Sequence, residues 1–125
     1  MPRPILPEDR LHIAVRARIS DHYRAVIDEV HAATAANDVV IVGMAVNPFP
    51  RRARRMLDAA GIAYKYLEYG SYLSEWRRRN ALKMWTGWPT MPMIFVKGTL
   101  IGGASELARL MESGELQALL SADRP

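Results

Sequence analysis

The chain has 125 residues, half of them apolar, which is enough for the core of one domain; none of its apolar runs is long enough to cross a bilayer. Lys and Arg outnumber Asp and Glu by 17 to 13, a net charge of +4 that is too small to indicate a nucleic-acid-binding protein by itself. The chain contains no cysteine, which excludes disulfides, thiolate nucleophiles and thiolate metal ligands.

The first part of the chain predicts an extension before the main domain. Residues 1–7 contain three prolines and are expected to be extended. They lack an apolar core followed by a cleavage site, so we predict a cytoplasmic protein and no secretory signal. Residues 11–19 alternate like a strand but also form a helical stripe, and the helix is favoured. We therefore predict an extension over residues 1–19 and a domain over residues 20–125, opening with a helix over 21–36.

The next segments predict a strand, a helix and a second strand. Val39–Val42 is a continuous β-branched run, typical of a strand buried on both faces. Asn47 is a preferred N-cap and Pro48 suits the first helical position, while Gly61 is a suitable helix terminator. Ala63–Glu68 is predicted to pair in parallel with the first strand. An apolar stripe should turn this helix towards the core: Ala53, Met56, Leu57 and Ala60.

A second helix is predicted over Glu75–Trp85, with Ser74 as its N-cap. Four residues are expected to supply its apolar contacts: Leu73, Trp76, Leu82 and Trp85.

The following stretch predicts a hairpin that leads into the closing helices. Met93–Lys97 and Thr99–Ile101 should be strands that reverse at Gly98. Pro92 cannot donate to a sheet, so it belongs at the first residue of the strand, and the Met91–Pro92 bond is a candidate for the cis form. Two helices should follow, over 105–112 and 115–122.

The element order β-α-β-α-β-β-α predicts an α/β fold with a four-stranded mixed sheet and helices on both faces. The order of turn, Thr90-Met91-Pro92, hairpin, Gly102-Gly103 and helix resembles the C-terminal half of a glutaredoxin, and the similarity runs from Val39 to about Leu120. The segment Trp88-Pro89-Thr90 is similar to the monothiol, iron–sulfur-associated branch of that family. The resemblance implies a thioredoxin-like fold.

The resemblance also locates an active-site motif that has lost its cysteines. The family's Cys-Pro-Tyr-Cys motif falls on Asn47-Pro48-Phe49-Pro50, with the loop length of the dithiol branch. Asn47 and Pro50 are therefore degenerate catalytic positions, and neither can attack a disulfide or ligate an iron–sulfur cluster. Two interpretations of Asn47 stay open: it is simply a helix cap, or the helix end that it caps still attracts an anion or a thiol-bearing ligand.

The glutathione groove of the family can be carried over to eight positions: Phe49, Arg79, Met91, Pro92, Gly103, Ala104, Ser105 and Glu106. The resemblance implies that the Met91 backbone pairs with the cysteinyl residue of glutathione and that Arg79 holds the glycine carboxylate. The backbone at 104–105 would receive the γ-glutamyl carboxylate, with Glu106 near the amine. Met44 stands where the family has a lysine, so the groove is expected to bind glutathione weakly.

Three functions compete at this level. The first is a glutaredoxin-like binding or regulatory module, not an oxidoreductase, whose partner is glutathione or a protein. The second is a transferase-like enzyme that uses the thiol of bound glutathione. The third is anion or nucleic-acid binding through two arginine clusters, at 51–55 and 77–79, which could equally be solvated helix faces. The three histidines lie apart from other ligand residues, so no metal site is predicted, and no pattern indicates an oligomeric state.

Overall fold

The structure is a computed structural model, and it describes residues 2–124. A 3₁₀ turn at Glu8–Arg10 precedes the regular elements. The helices are α1 (Ile13–Asp21), α2 (Arg24–Ala36), α3 (Pro48–Ala59), α4 (Trp76–Thr86), α5 (Ala104–Ser113) and α6 (Glu115–Ser121). The strands are β1 (Val39–Gly43), β2 (Lys65–Glu68), β3 (Met93–Val96) and β4 (Thr99–Gly102).

The four strands form one mixed sheet in the order β2-β1-β3-β4. β1 pairs in parallel with β2 and antiparallel with β3, and Val42 lies opposite both Leu67 and Met93. Strands β1 and β3 are buried along their whole length, as their continuous apolar runs predict. This is the thioredoxin-like α/β fold that the sequence indicates.

Helices cover both faces of the sheet and create two apolar cores. On one face, α2 and α4 pack Val30 and Leu82 against the sheet. On the other, α3, α5 and α6 contribute Leu57, Leu107 and Leu116. All five side chains are at most 2% exposed. This arrangement leaves the N-termini of α3 and α5 free to line a cavity at one end of the sheet.

The N-terminal extension is helical but contributes nothing to either core. Helix α1 buries none of its residues, and its Ile13 is 76% exposed. The predicted helix over residues 21–36 begins later, at Arg24, because Tyr23 adopts a left-handed backbone conformation (φ 47°) that separates α1 from α2. No helix among residues 2–124 is both long and apolar enough to span a bilayer.

Two expectations for α4 are wrong. Ser74 is not the N-cap: Glu75 holds that place in a left-handed conformation, and the Ser74 hydroxyl accepts the Ser71 N–H at 3.1 Å. Leu73 and Trp76 do not pack into the core, since they are 96% and 54% exposed. Leu73 lies in the loop before the helix, and Trp76 is its first residue.

The inward stripe predicted for α3 is shorter than expected. Ala53 and Leu57 are fully buried and Met56 is partly buried, but Ala60 is exposed. Ala60 is the C-cap of the helix, and Gly61 follows in the left-handed conformation (φ 69°) that the sequence indicates.

Candidate functional site

A cavity of about 450 Å³ lies where the N-termini of α3 and α5 approach the segment that leads into β3. It brings together seven of the eight residues predicted to contact glutathione: Phe49, Met91, Pro92, Gly103, Ala104, Ser105 and Glu106. Asn47 and Met44 also line it. Residues that are distant in sequence therefore meet at one place in the fold.

The Met91–Pro92 peptide bond is cis, as the sequence predicts. Pro92 directly precedes β3, where a missing N–H costs no sheet hydrogen bond. The side chain of Met91 is 7% exposed. This segment therefore presents mainly backbone and an apolar side chain to the cavity.

The first turn of α3 has no free backbone donor. The Asn47 side chain accepts the Phe49 N–H at 2.9 Å, which confirms it as the helix cap. Pro48 and Pro50 have no N–H to offer. The first three positions of the helix thus present no free backbone donor to an anion or a thiolate.

The N-terminus of α5 has the opposite character. Gly103 donates its N–H to the Glu106 carboxylate at 3.1 Å, whereas the N–H groups of Ala104 and Ser105 have no intrahelical acceptor. Gly102 permits this arrangement, because its φ is 114° and an added Cβ would lie 2.7 Å from the Glu106 Cγ. This end of the cavity can receive a carboxylate on backbone donors and the positive end of the helix dipole.

Arg79, the eighth predicted contact, does not line the cavity. Its side chain is buried, and it donates to the carbonyls of Tyr69 at 3.0 Å and Ser74 at 2.5 Å. The cation at the cavity is Lys83, one helical turn further along α4. Lys83 forms no ion pair within residues 2–124. Residues four apart on a helix lie on the same face, so the spacing of Lys83 from Arg79 was the signal in the sequence that Lys83 could be the cation at the site.

Trp88 and Tyr72 also line the cavity, and the sequence analysis did not assign either to the site. The indole N–H of Trp88 is buried and has no acceptor among the described residues. Tyr72 is 66% exposed at the rim. Its position depends on the loop before α4, which carries no periodic pattern from which it could be predicted.

The perturbed titrating groups lie outside the cavity. Burial, with the hydrogen bond to Glu68, raises the pKa of Tyr66 to about 12. Burial also raises the pKa of Tyr69, whose hydroxyl donates to Glu29. A second cavity, of about 470 Å³, lies between α1, α2 and α4, and none of the predicted site residues lines it. No three metal-ligating side chains converge within residues 2–124.

Comparison with known proteins gives consistent matches. The glutaredoxin family model matches residues 39–101. A glutaredoxin-like protein of Dictyostelium discoideum is 45% identical over 98 residues, which cover 78% of this chain and 80% of the relative. A probable monothiol glutaredoxin of Legionella pneumophila is 35% identical over 72 residues, 58% of this chain and 78% of that protein.

Solved structures share the fold. The crystal structure of a buckwheat glutaredoxin–glutathione complex superimposes with a TM-score of 0.72 at 22% identity, covering 81% of this chain and 92% of that one. The holo form of glutaredoxin C1 from Populus tremula x tremuloides gives a TM-score of 0.69 at 25% identity, covering 84% of this chain and 99% of that one.

Proposed function

This chain belongs to the glutaredoxin family, and from that premise we propose that it is a binding or regulatory module that holds glutathione without thiol–disulfide exchange. The observation that carries the proposal is an intact groove around a degenerate active-site position. The cavity retains a backbone carboxylate site and a cation, while Asn47 serves as a helix cap.

Glutathione is a tripeptide with a carboxylate at each end, and the cavity offers one receptor for each. The first turn of α5, at Ala104 and Ser105, supplies backbone N–H groups for the γ-glutamyl carboxylate. Lys83 supplies the charge for the glycine carboxylate. Met91, beside cis-Pro92, lines the same cavity, and its backbone would pair with the central residue. The similarity in fold to the buckwheat glutaredoxin–glutathione complex supports glutathione as the ligand.

Loss of redox chemistry follows from composition. Thiol–disulfide exchange needs a thiolate that attacks a disulfide sulfur, and the chain has no cysteine. The same absence removes the protein ligand for an iron–sulfur cluster. The bound tripeptide, or its complex with the protein surface, is therefore what a partner would recognise.

The alternatives have weaker support. A transferase would need to hold the glutathione thiolate, but the first three positions of α3 offer it no free backbone N–H, because Asn47 accepts that of Phe49 and the two prolines have none. Nucleic-acid binding would use both arginine clusters, yet Arg79 is buried and Arg54 stacks on Tyr66 at 4.3 Å. The burial of Arg79 and the stacking of Arg54 do not favour a surface that binds a phosphate backbone.

Calorimetric titration of reduced glutathione tests the proposal. We expect weak binding, because Met44 replaces a cation, and we expect Lys83→Ala to weaken it about tenfold through loss of one charge-assisted contact. Lys65→Ala, which removes an exposed lysine from β2 outside the cavity, is the matched control. Absence of binding at millimolar glutathione, or equal effects of the two substitutions, would contradict the proposal.

A further inference from the structure

The wall of the cavity formed by α3 and its preceding loop, where Met44, Asn47 and Phe49 line the cavity, contains no cation, and the first three positions of α3 have no free backbone donor. The Asn47 side chain accepts the Phe49 N–H, and Pro48 and Pro50 have no N–H. Met44 adds a thioether that is 6% exposed. A thiolate would lose water here without gaining an opposite charge or a backbone donor from the first turn of α3.

Apolar side chains continue outward from this wall onto the surface. Phe49 and Tyr72 line the cavity and are 53% and 66% exposed. Val46, in the loop before Asn47, is 76% exposed. A group of exposed apolar side chains at the mouth of a cavity typically marks a surface that a ligand covers.

The sulfur of a bound tripeptide would face this wall. If its two carboxylates are held by the start of α5 and by Lys83, its central residue lies between those anchors, against Met91. Met44, Asn47 and Phe49 line the same cavity, and we take them as the wall that faces the central side chain. Any substituent on the sulfur would extend past Phe49 towards the exposed apolar rim.

We propose that this groove selects glutathione thioethers, in which the sulfur carries an apolar substituent, over free glutathione. This inference rests on the proposed function, because it takes the groove to hold the tripeptide. A thioether, unlike a thiol, cannot ionise and so never needs a donor from α3, and its apolar substituent removes apolar surface of Phe49 and Tyr72 from water. Position 47 has no cysteine, so the protein cannot form a disulfide with the ligand sulfur. That sulfur is therefore free to carry the substituent.

The test is calorimetric titration with glutathione, S-methylglutathione and S-hexylglutathione. We expect affinity to rise along this series, with the hexyl thioether binding at least tenfold more tightly than glutathione. The ratio of these two affinities should fall towards one in Phe49→Ala and in Tyr72→Ala. It should be unchanged in Leu119→Ala, which shortens a partly exposed apolar side chain of α6, away from the cavity.

S-Hexylcysteine distinguishes binding in the groove from nonspecific apolar binding. It has the hexyl substituent but lacks the γ-glutamyl and glycine residues of glutathione. Binding of S-hexylcysteine as tight as that of S-hexylglutathione would overturn the inference. Equal affinities for glutathione and S-hexylglutathione would also overturn it while leaving the proposed function intact. Failure of every glutathione derivative to bind would overturn both.

Discussion

Asn47 caps a helix at the position where the family has a reactive cysteine. Its side chain caps α3 through the Phe49 N–H at 2.9 Å, and a substitution that removes such a cap costs about 1 kcal/mol. An asparagine can hold the helix end but cannot become a thiolate. With asparagine at this position the start of the helix is preserved, but the thiol reactivity of the family is lost.

Replacing Asn47 by cysteine should partly restore reactivity. In Asn47→Cys the Phe49 N–H would be released to the new sulfur, and the helix dipole would favour the thiolate. We expect the variant to attack glutathione disulfide, forming a mixed disulfide and releasing one glutathione. Mass spectrometry would show the gain of one glutathionyl group.

A cysteine placed elsewhere gives the control for this substitution. Ser121→Cys puts a thiol at the exposed end of α6, outside the cavity. Asn47→Cys should form the mixed disulfide faster. Equal rates for the two variants would show that the cavity does not present glutathione to position 47.

Arg79 determines how α4 is attached to the loop before it. Its buried guanidinium donates to the carbonyls of Tyr69 and Ser74, at 3.0 and 2.5 Å. The loop between these residues includes Tyr72, which lines the candidate site. The resemblance to the family implied a ligand contact at Arg79, but its hydrogen bonds within the protein give it a structural role.

We expect Arg79→Ala to lower the free energy of unfolding by about 2–3 kcal/mol, because the buried Tyr69 carbonyl and the partly buried Ser74 carbonyl lose a charged donor. Urea denaturation measures the change. Arg78→Ala is the matched control, since within residues 2–124 the one ion pair of Arg78 is an exposed pair with Glu75, at 3.1 Å, and its loss should change stability by less than about 0.5 kcal/mol. A folded Arg79→Ala protein that loses glutathione affinity as strongly as Lys83→Ala would contradict the structural assignment.

At the scale of the whole molecule, the two ends of the chain differ in what they stabilise. Helix α1 buries no residue, and Arg3 adds one hydrogen bond, to the Thr86 carbonyl at 2.6 Å. At the other end, Leu116 of α6 is 2% exposed, and Arg124 donates to the Thr34 carbonyl at 2.8 Å. The core therefore depends on the C-terminal helix and not on the extension.

Deletion of residues 1–19 should leave a folded protein whose Tm changes by less than about 4 °C, a shift equivalent to less than about 1 kcal/mol. Deletion of residues 115–124 should remove cooperative unfolding, because it exposes the core around Leu116. Thermal denaturation followed by circular dichroism measures both. A large loss of Tm in the first variant would show that residues 1–19 belong to the domain.

Patterns carried by neighbouring residues determined the elements of this fold. The β-branched run of β1, the Asn47-Pro48 helix start and the Pro92-led hairpin each specify local backbone geometry, so the sequence predicted them and their order. Local patterns were least informative at the start of α4. There a left-handed Glu75 delays the helix, and Leu73 and Trp76 become exposed.

The sequence by itself determined the fold, the absence of a thiol and most residues of the candidate site, since backbone preferences and composition are local properties. Only the tertiary structure decided which cation faces the cavity, because Arg79 and Lys83 lie on one helix and their burial depends on what packs against it. It also decided that the first three positions of α3 have no free backbone donor, whereas Ala104 and Ser105 of α5 do. Residue types are given by the sequence, but hydrogen-bond partners are set only when the chain folds.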